Sequence, residues 1–265
     1  MKTLLSLYLS EKGVHAIFLA GTAGSGKSLL TSILAPWFVE KGSSVITVNL
    51  DPGVISLPYT PDVDIRNYIN IEELMEQYQL GPNGALILSS DMMATKLPEI
   101  QDEIDSFNPD YAVIDTPGQL ELFAYRESGP FIVKNLSAEG KVAIFLFDSA
   151  LVSTAANLVS VSLLAASIRL RFGIPQIAVL SKKDLAKEGW KKILKWSSNR
   201  VHLEAELQKE KDSEIYLLSK GIASSLAKAG FSHELMPVSA ATHEGIVELS
   251  ASISRILRGG EEVED

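Results

Sequence analysis

Apolar and polar positions follow two rhythms along this chain. Short apolar runs recur as VHAIFLA (14–20), SVITVNL (44–50), YAVID (111–115), VAIFLFD (142–148), IPQIAVL (174–180) and ELMPVSA (234–240), each giving way to polar residues. Uninterrupted apolar runs are what strands buried on both faces require, because neither face meets water. Between them the spacing predicts helices: about Lys27 to Glu40 with Gly42 as the stop, a crossover helix within 151–172, and a closing helix over 244–258. Strands separated by helices build βαβ units, so the predicted fold is α/β, a mostly parallel sheet flanked by helices.

Two insertions interrupt this rhythm. Residues 52–110 are polar and contain proline; helices are predicted near 71–78 and 91–106, joined by GPNGA. Residues 185–232 carry alternating charge, including GWKKILKWSSNRVHLEAELQKE, and predict about two helices. That stretch reads as an amphipathic surface layer, with a partner-binding face as the alternative. Neither an internal repeat nor a low-complexity linker is present, and the EEVED tail is expected to fray. The organisation expected is one domain over 1–265 with decorations.

Composition narrows the chemistry. With 265 residues and 46% apolar content, the chain can bury one large core. Its 33 acidic and 24 basic residues give a net charge of −9, so direct binding to nucleic acid, which needs a basic face, is not expected. Cysteine is absent, which excludes disulfides, thiol catalysis and Cys-ligated metal. The histidines, His15, His202, His233 and His243, are too far apart for ligand spacing. No run approaches the ~18 consecutive apolar residues of a membrane span, so membrane binding is not expected either. Lys2 and the apolar TLLSLYL imitate a signal peptide, but Glu11 and Lys12 stand where a small-residue cleavage site belongs. A structural lead-in and a cytoplasmic location are the expectation.

GTAGSGKS at 21–28 matches the phosphate-loop pattern, follows a buried strand and opens a helix. Gly21, Gly24 and Gly26 let the backbone curl so that N–H groups converge on phosphate oxygens, and the helix N-terminus favours the same anion. Thr22, Ala23 and Ser25 complete the loop; Lys27 is expected at the β- and γ-phosphates and the Ser28 hydroxyl at Mg2+. Leu29 stands where a dinucleotide fold needs its last glycine, so a mononucleotide is implied. Thr22 also replaces the extra lysine of partitioning-type ATPases. DTPGQ (115–119) ends the YAVID strand. Asp115 is expected in the Mg2+ shell, the Gly118 N–H at the γ-phosphate, and Gln119 at an attacking water. SKKD at 181–184 sits where guanine-binding proteins carry N-K-x-D. Asp184 would accept from the guanine N1–H and amine, and the Lys182 stem would cover the base. Ser181 replaces asparagine and is expected to shorten the reach to base and phosphate loop. Ser239 and Ala240, in VSAAT, follow the last strand where a backbone N–H meets guanine O6.

GTAGSGKS, VNLDPGV, GPNGA, DTPGQLE and VSAAT stand in one order across residues 21–242, and in this the chain resembles the GPN-loop GTPases. The triplet Gly81, Pro82, Asn83 is that family's distinguishing element. The resemblance implies a P-loop NTPase fold of the signal-recognition-particle and partitioning class, binding GTP and GDP with Mg2+. It also implies a homodimer in which each GPN loop reaches the partner's nucleotide. It assigns Asp51, Gln119, Glu121 and Asn83 to catalysis, with Asp51 joining Ser28 and Asp115 at the metal. Residue logic agrees in part, since Asp51 follows a strand end on the edge where the other loops meet. Ser181 and the dozen residues before the first strand depart from the pattern. A GTP-hydrolysing switch is therefore expected. A kinase of the same fold class is one rival, and a nucleotide-dependent assembly factor with a protein client is the other.

Overall fold

A computed structural model describes residues 13–210, 212–231 and 234–258; the N-terminal lead-in up to residue 12, the EEVED tail and His233 lie outside these. In chain order the elements begin with β1 (His15–Gly21), α1 (Lys27–Glu40), β2 (Val45–Asn49), β3 (Val63–Asp64), α2 (Ile71–Tyr78) and α3 (Pro82–Met93). Next come α4 (Leu97–Phe107), β4 (Tyr111–Asp115), α5 (Leu120–Ala124), α6 (Ser128–Asn135), β5 (Gly140–Asp148) and α7 (Ala155–Phe172). The chain continues through β6 (Gln176–Ser181), α8 (Gly189–Ser198), α9 (Arg200–Leu207), α10 (Ser213–Lys228), β7 (Met236–Pro237) and α11 (Ile246–Leu257).

Among the described residues seven strands form one sheet in the order β3-β2-β4-β1-β5-β6-β7, and every strand pairing in it is parallel. Alternate residues of β1 feed two cores. Ala16, Phe18 and Ala20 join the core beneath α4 and α7, whereas Ile17 and Leu19 join the core beneath α1 and α11. That is why the run carries no polar alternation. Helix α7 is long and apolar enough by composition to cross a membrane; here Leu158, Ala165, Ile168 and Phe172 are buried in the first core as a crossover helix.

The insertions differ from expectation in a physically clear way. GPNGA is not a connector between helices. Gly81 is the N-cap of α3, Pro82 its first residue, and the first helical bond runs from the Ala85 N–H to the Gly81 carbonyl at 3.0 Å. Proline suits that position because its missing N–H would have no intrahelical acceptor. Among the described residues, 185–232 hold three α-helices rather than two, since Asn199 caps α9 directly after α8. The short helices α5 and α6 and the two-residue β3 were beyond the reach of periodicity, which needs several turns or alternations to register.

Candidate functional site

All the motif residues that follow strands lie at the C-terminal edge of the sheet, the usual ligand crevice of open α/β sheets. The phosphate loop leaves β1 at Gly21. A Cβ there would sit 2.7 Å from Ser25 Oγ and 3.0 Å from the Leu146 carbonyl, so only glycine fits. Gly26, at φ 96°, caps α1, whose first turn has neither a side-chain cap nor an acidic residue. Its N–H donors are left to an anion. Lys27 is 5% exposed and donates to the Gly21 carbonyl (3.0 Å) and the Thr22 carbonyl (3.2 Å). Burial pushes its pKa down, and the nearby carboxylates of Asp115, Asp51 and Glu121 counter this.

Asp115 ends β4 at 1% exposure. Burial pushes its pKa up to about 6, against the pull of the Ser28 hydroxyl, Lys27 and Tyr59. Tyr59 donates to Oδ2 at 3.2 Å, while Oδ1 is buried without a hydrogen-bond partner among the described residues. A buried carboxylate oxygen left unpaired, beside a hydroxyl on the phosphate loop, is a fitting donor set for Mg2+. Asp51 is differently placed. Its Oδ1 accepts from the Gly53 N–H (2.9 Å) and its Oδ2 from the Gly118 N–H (2.8 Å). The Gly118 donor expected to face a γ-phosphate is thus held by Asp51. The turn is braced from behind: Asn49 accepts the Asp51 N–H and donates to Asp64, which Arg66 grips in turn.

Gln119 and Glu121 are exposed at the start of α5. Asn83 is also exposed, and among the described residues it makes no hydrogen bond to the phosphate loop of its own chain. Among the described residues the GPN triplet makes no hydrogen bond to the other predicted site residues.

The base loop rests directly on the phosphate loop. Ser181 Oγ donates to the Ser25 carbonyl at 2.8 Å. The expected loss of reach toward that loop does not occur, because the end of β6 already lies against it. Lys182, at φ 56°, runs its stem past Gly26 and pairs with Asp148 at 2.7 Å. Ser149 fixes the same residue by donating to its carbonyl at 2.8 Å. Ser239 turns inward: its hydroxyl donates to Asp184 Oδ1 at 2.6 Å, and its N–H goes to the Glu244 carbonyl. It orients Asp184 instead of offering that donor outward.

Sequence reasoning missed Tyr59, Asp148 and Ser149. Asp148 could have been found as a carboxylate at a strand end, the signal that marked Asp115. Tyr59 lies in a segment without periodicity and had no signal.

Comparison with known proteins adds four findings. A family described as "Conserved hypothetical ATP binding protein" matches residues 19–259. GPN-loop GTPase 3 of Dictyostelium discoideum is 30% identical over 260 residues, 95% of this chain and 90% of that protein. GPN-loop GTPase 1 of Schizosaccharomyces pombe is 31% identical over 229 residues, 85% of this chain but only 59% of that longer relative. Among solved structures, a GTPase from Pyrococcus abyssi in apo form superposes with a TM-score of 0.81 at 31% identity, over 92% of this chain and 98% of that one.

Proposed function

The chain belongs to the GPN-loop GTPase family, and from that premise we propose that it hydrolyses GTP to GDP and phosphate with Mg2+, as a nucleotide-dependent homodimeric switch. One observation carries this reading: a base loop built on Ser181, Lys182 and Asp184 is docked onto the phosphate loop, within the same crevice as Asp115. In-line attack of water on the γ-phosphorus forms one P–O bond as the β–γ bridge breaks, and it needs positioning and charge neutralisation more than covalent help. Lys27 and the free N–H groups of α1 supply fixed positive charge there. Ser28 and Asp115, with Asp51 nearby, would hold Mg2+, whose chemistry is to neutralise charge on the phosphate oxygens. Gln119 and Glu121 are assigned to the attacking water.

The family's description speaks of ATP and its relatives' names of GTP, so the base is the point to test. Turnover of GTP and ATP is measured without any acceptor, with Mg2+ or a chelator, alongside native mass spectrometry after nucleotide loading. GTP is expected to turn over, and Asp184→Asn to shift preference toward xanthine nucleotides, because its amide matches the altered donor pattern. Equal use of ATP, or diphosphate formation only when an acceptor is added, with the γ-phosphoryl carried off on that acceptor, would return the reading to a kinase.

An assembly-factor reading has one observation in its favour. An apolar cleft opens between α7, α8, α9 and α10, lined by Leu158, Trp196, Leu203, Ala223, Leu226 and Phe231. Nucleotide-dependent capture of an apolar probe in that cleft would support a client role alongside hydrolysis.

A further inference from the structure

We propose that the Asp51 carboxylate is an internal stand-in for the terminal phosphate: it holds the Gly118 N–H until a γ-phosphate takes that donor, and the same exchange frees Asp51 for the reaction. The proposal rests on the GTP reading above and adds how the site distinguishes triphosphate from diphosphate.

Asp51 gathers one donor from its own turn, the Gly53 N–H on Oδ1, and one from a loop 67 residues away, the Gly118 N–H on Oδ2. A carboxylate oxygen and a phosphate oxygen are equivalent anionic acceptors for such a donor. A single N–H cannot point straight at both. Asp51 also lies close enough to act on the Lys27 ammonium, so it sits inside the field of the phosphate loop. A γ-phosphate arriving there would compete for the Gly118 donor and repel the carboxylate. A diphosphate, one phosphate shorter, would do neither.

The backbone permits the exchange. Strands β2 and β4 are neighbours, paired in register up to Asn49 and Asp115. Asp51 and Gly118 stand two and three residues past those anchors, with Pro117 fixing one side and Gly118 itself free to turn.

The sequence supplies its own probe. Pro-Gly occurs only at 52–53 and 117–118, so pairing carbonyl-13C proline with 15N glycine in the full chain reports Gly53 and Gly118 alone. With GDP bound, Asp51→Asn and Asp51→Ala are expected to shift both amides. With Mg2+ and a non-hydrolysable GTP analogue, the Gly118 amide of wild type and variants should coincide, because phosphate holds it in both. Asp51→Ala should also tighten the analogue relative to GDP by about tenfold, since an internal competitor is gone. A residue that only ligates metal would weaken it instead. If the analogue binds wild type and Gly118 ignores Asp51 in the GDP state, or still depends on Asp51 in the analogue state, the stand-in role falls and the GTP reading survives. If no guanine nucleotide binds wild type, both fall together.

Discussion

Asp115 carries the clearest conflict between stability and function at the level of single residues. Its folded pKa is raised from 3.8 to about 6, so the stability this group contributes is fully present below its unfolded value and is lost as pH rises through about 6. The loss amounts to about 3 kcal/mol across that window, and it reflects burial of a carboxylate with one oxygen unpaired. Asparagine mimics the neutral form. Asp115→Asn is therefore expected to raise the melting temperature of the nucleotide-free protein at pH 8, with little gain at pH 4.5, as read by thermal melts at both values. The same variant should abolish Mg2+-dependent turnover. In wild type, the Mg2+-dependent part of nucleotide affinity should weaken as pH falls below about 6, because proton and cation compete for one carboxylate; titration calorimetry across pH 5–8 checks this.

Helix α3 separates anchoring from display within one element. Ala85, Ser89, Ser90 and Met93 are buried, and its last turn is clamped where Asp91 takes Arg126 in a two-point ion pair. Its first turn, with Pro82 and Asn83, faces solvent. Met93→Ala should thus cost about 2–5 kcal/mol in chemical denaturation, the usual result of emptying a fully buried site. Asn83→Ala should stay within about 0.5 kcal/mol of wild type, as exposed positions do, yet slow GTP turnover. A stability loss on Asn83→Ala comparable with that of Met93→Ala would make the triplet a purely structural helix start.

At the scale of the whole molecule, the exposed Asn83 and the crevice of its own chain are the two halves of a question about assembly. If the triplet serves a partner's nucleotide across a two-fold axis, every active site contains residues of two chains. Lys27→Ala and Asn83→Ala homodimers should each be slow. Mixing them under subunit exchange should restore activity, because one site then joins an intact phosphate loop to an intact Asn83. Exchange verified by native mass spectrometry without recovery of turnover would confine Asn83 to its own chain or remove it from catalysis.

The buried runs, the phosphate loop and the strand-end carboxylate Asp115 are legible in the sequence because each is local. A strand buried on both faces must be apolar throughout, and a loop that cradles phosphate must have glycine where no Cβ fits. The parallel βαβ arrangement follows from the same signals, since parallel strands need crossovers. Three features were decided only by tertiary structure. The GPN triplet became a helix start because the buried residues of α3 demanded a helix there. Ser181 reaches the phosphate loop because β6 delivers it to the Ser25 carbonyl, a distance that residue size alone could not supply. Gly118 is held by Asp51 because β2 and β4, which α2, α3 and α4 separate along the chain, lie side by side in the sheet. Composition and periodicity report what one segment needs from water or solvent-free packing; which groups from distant segments meet is set by strand order, and that belongs to the folded chain.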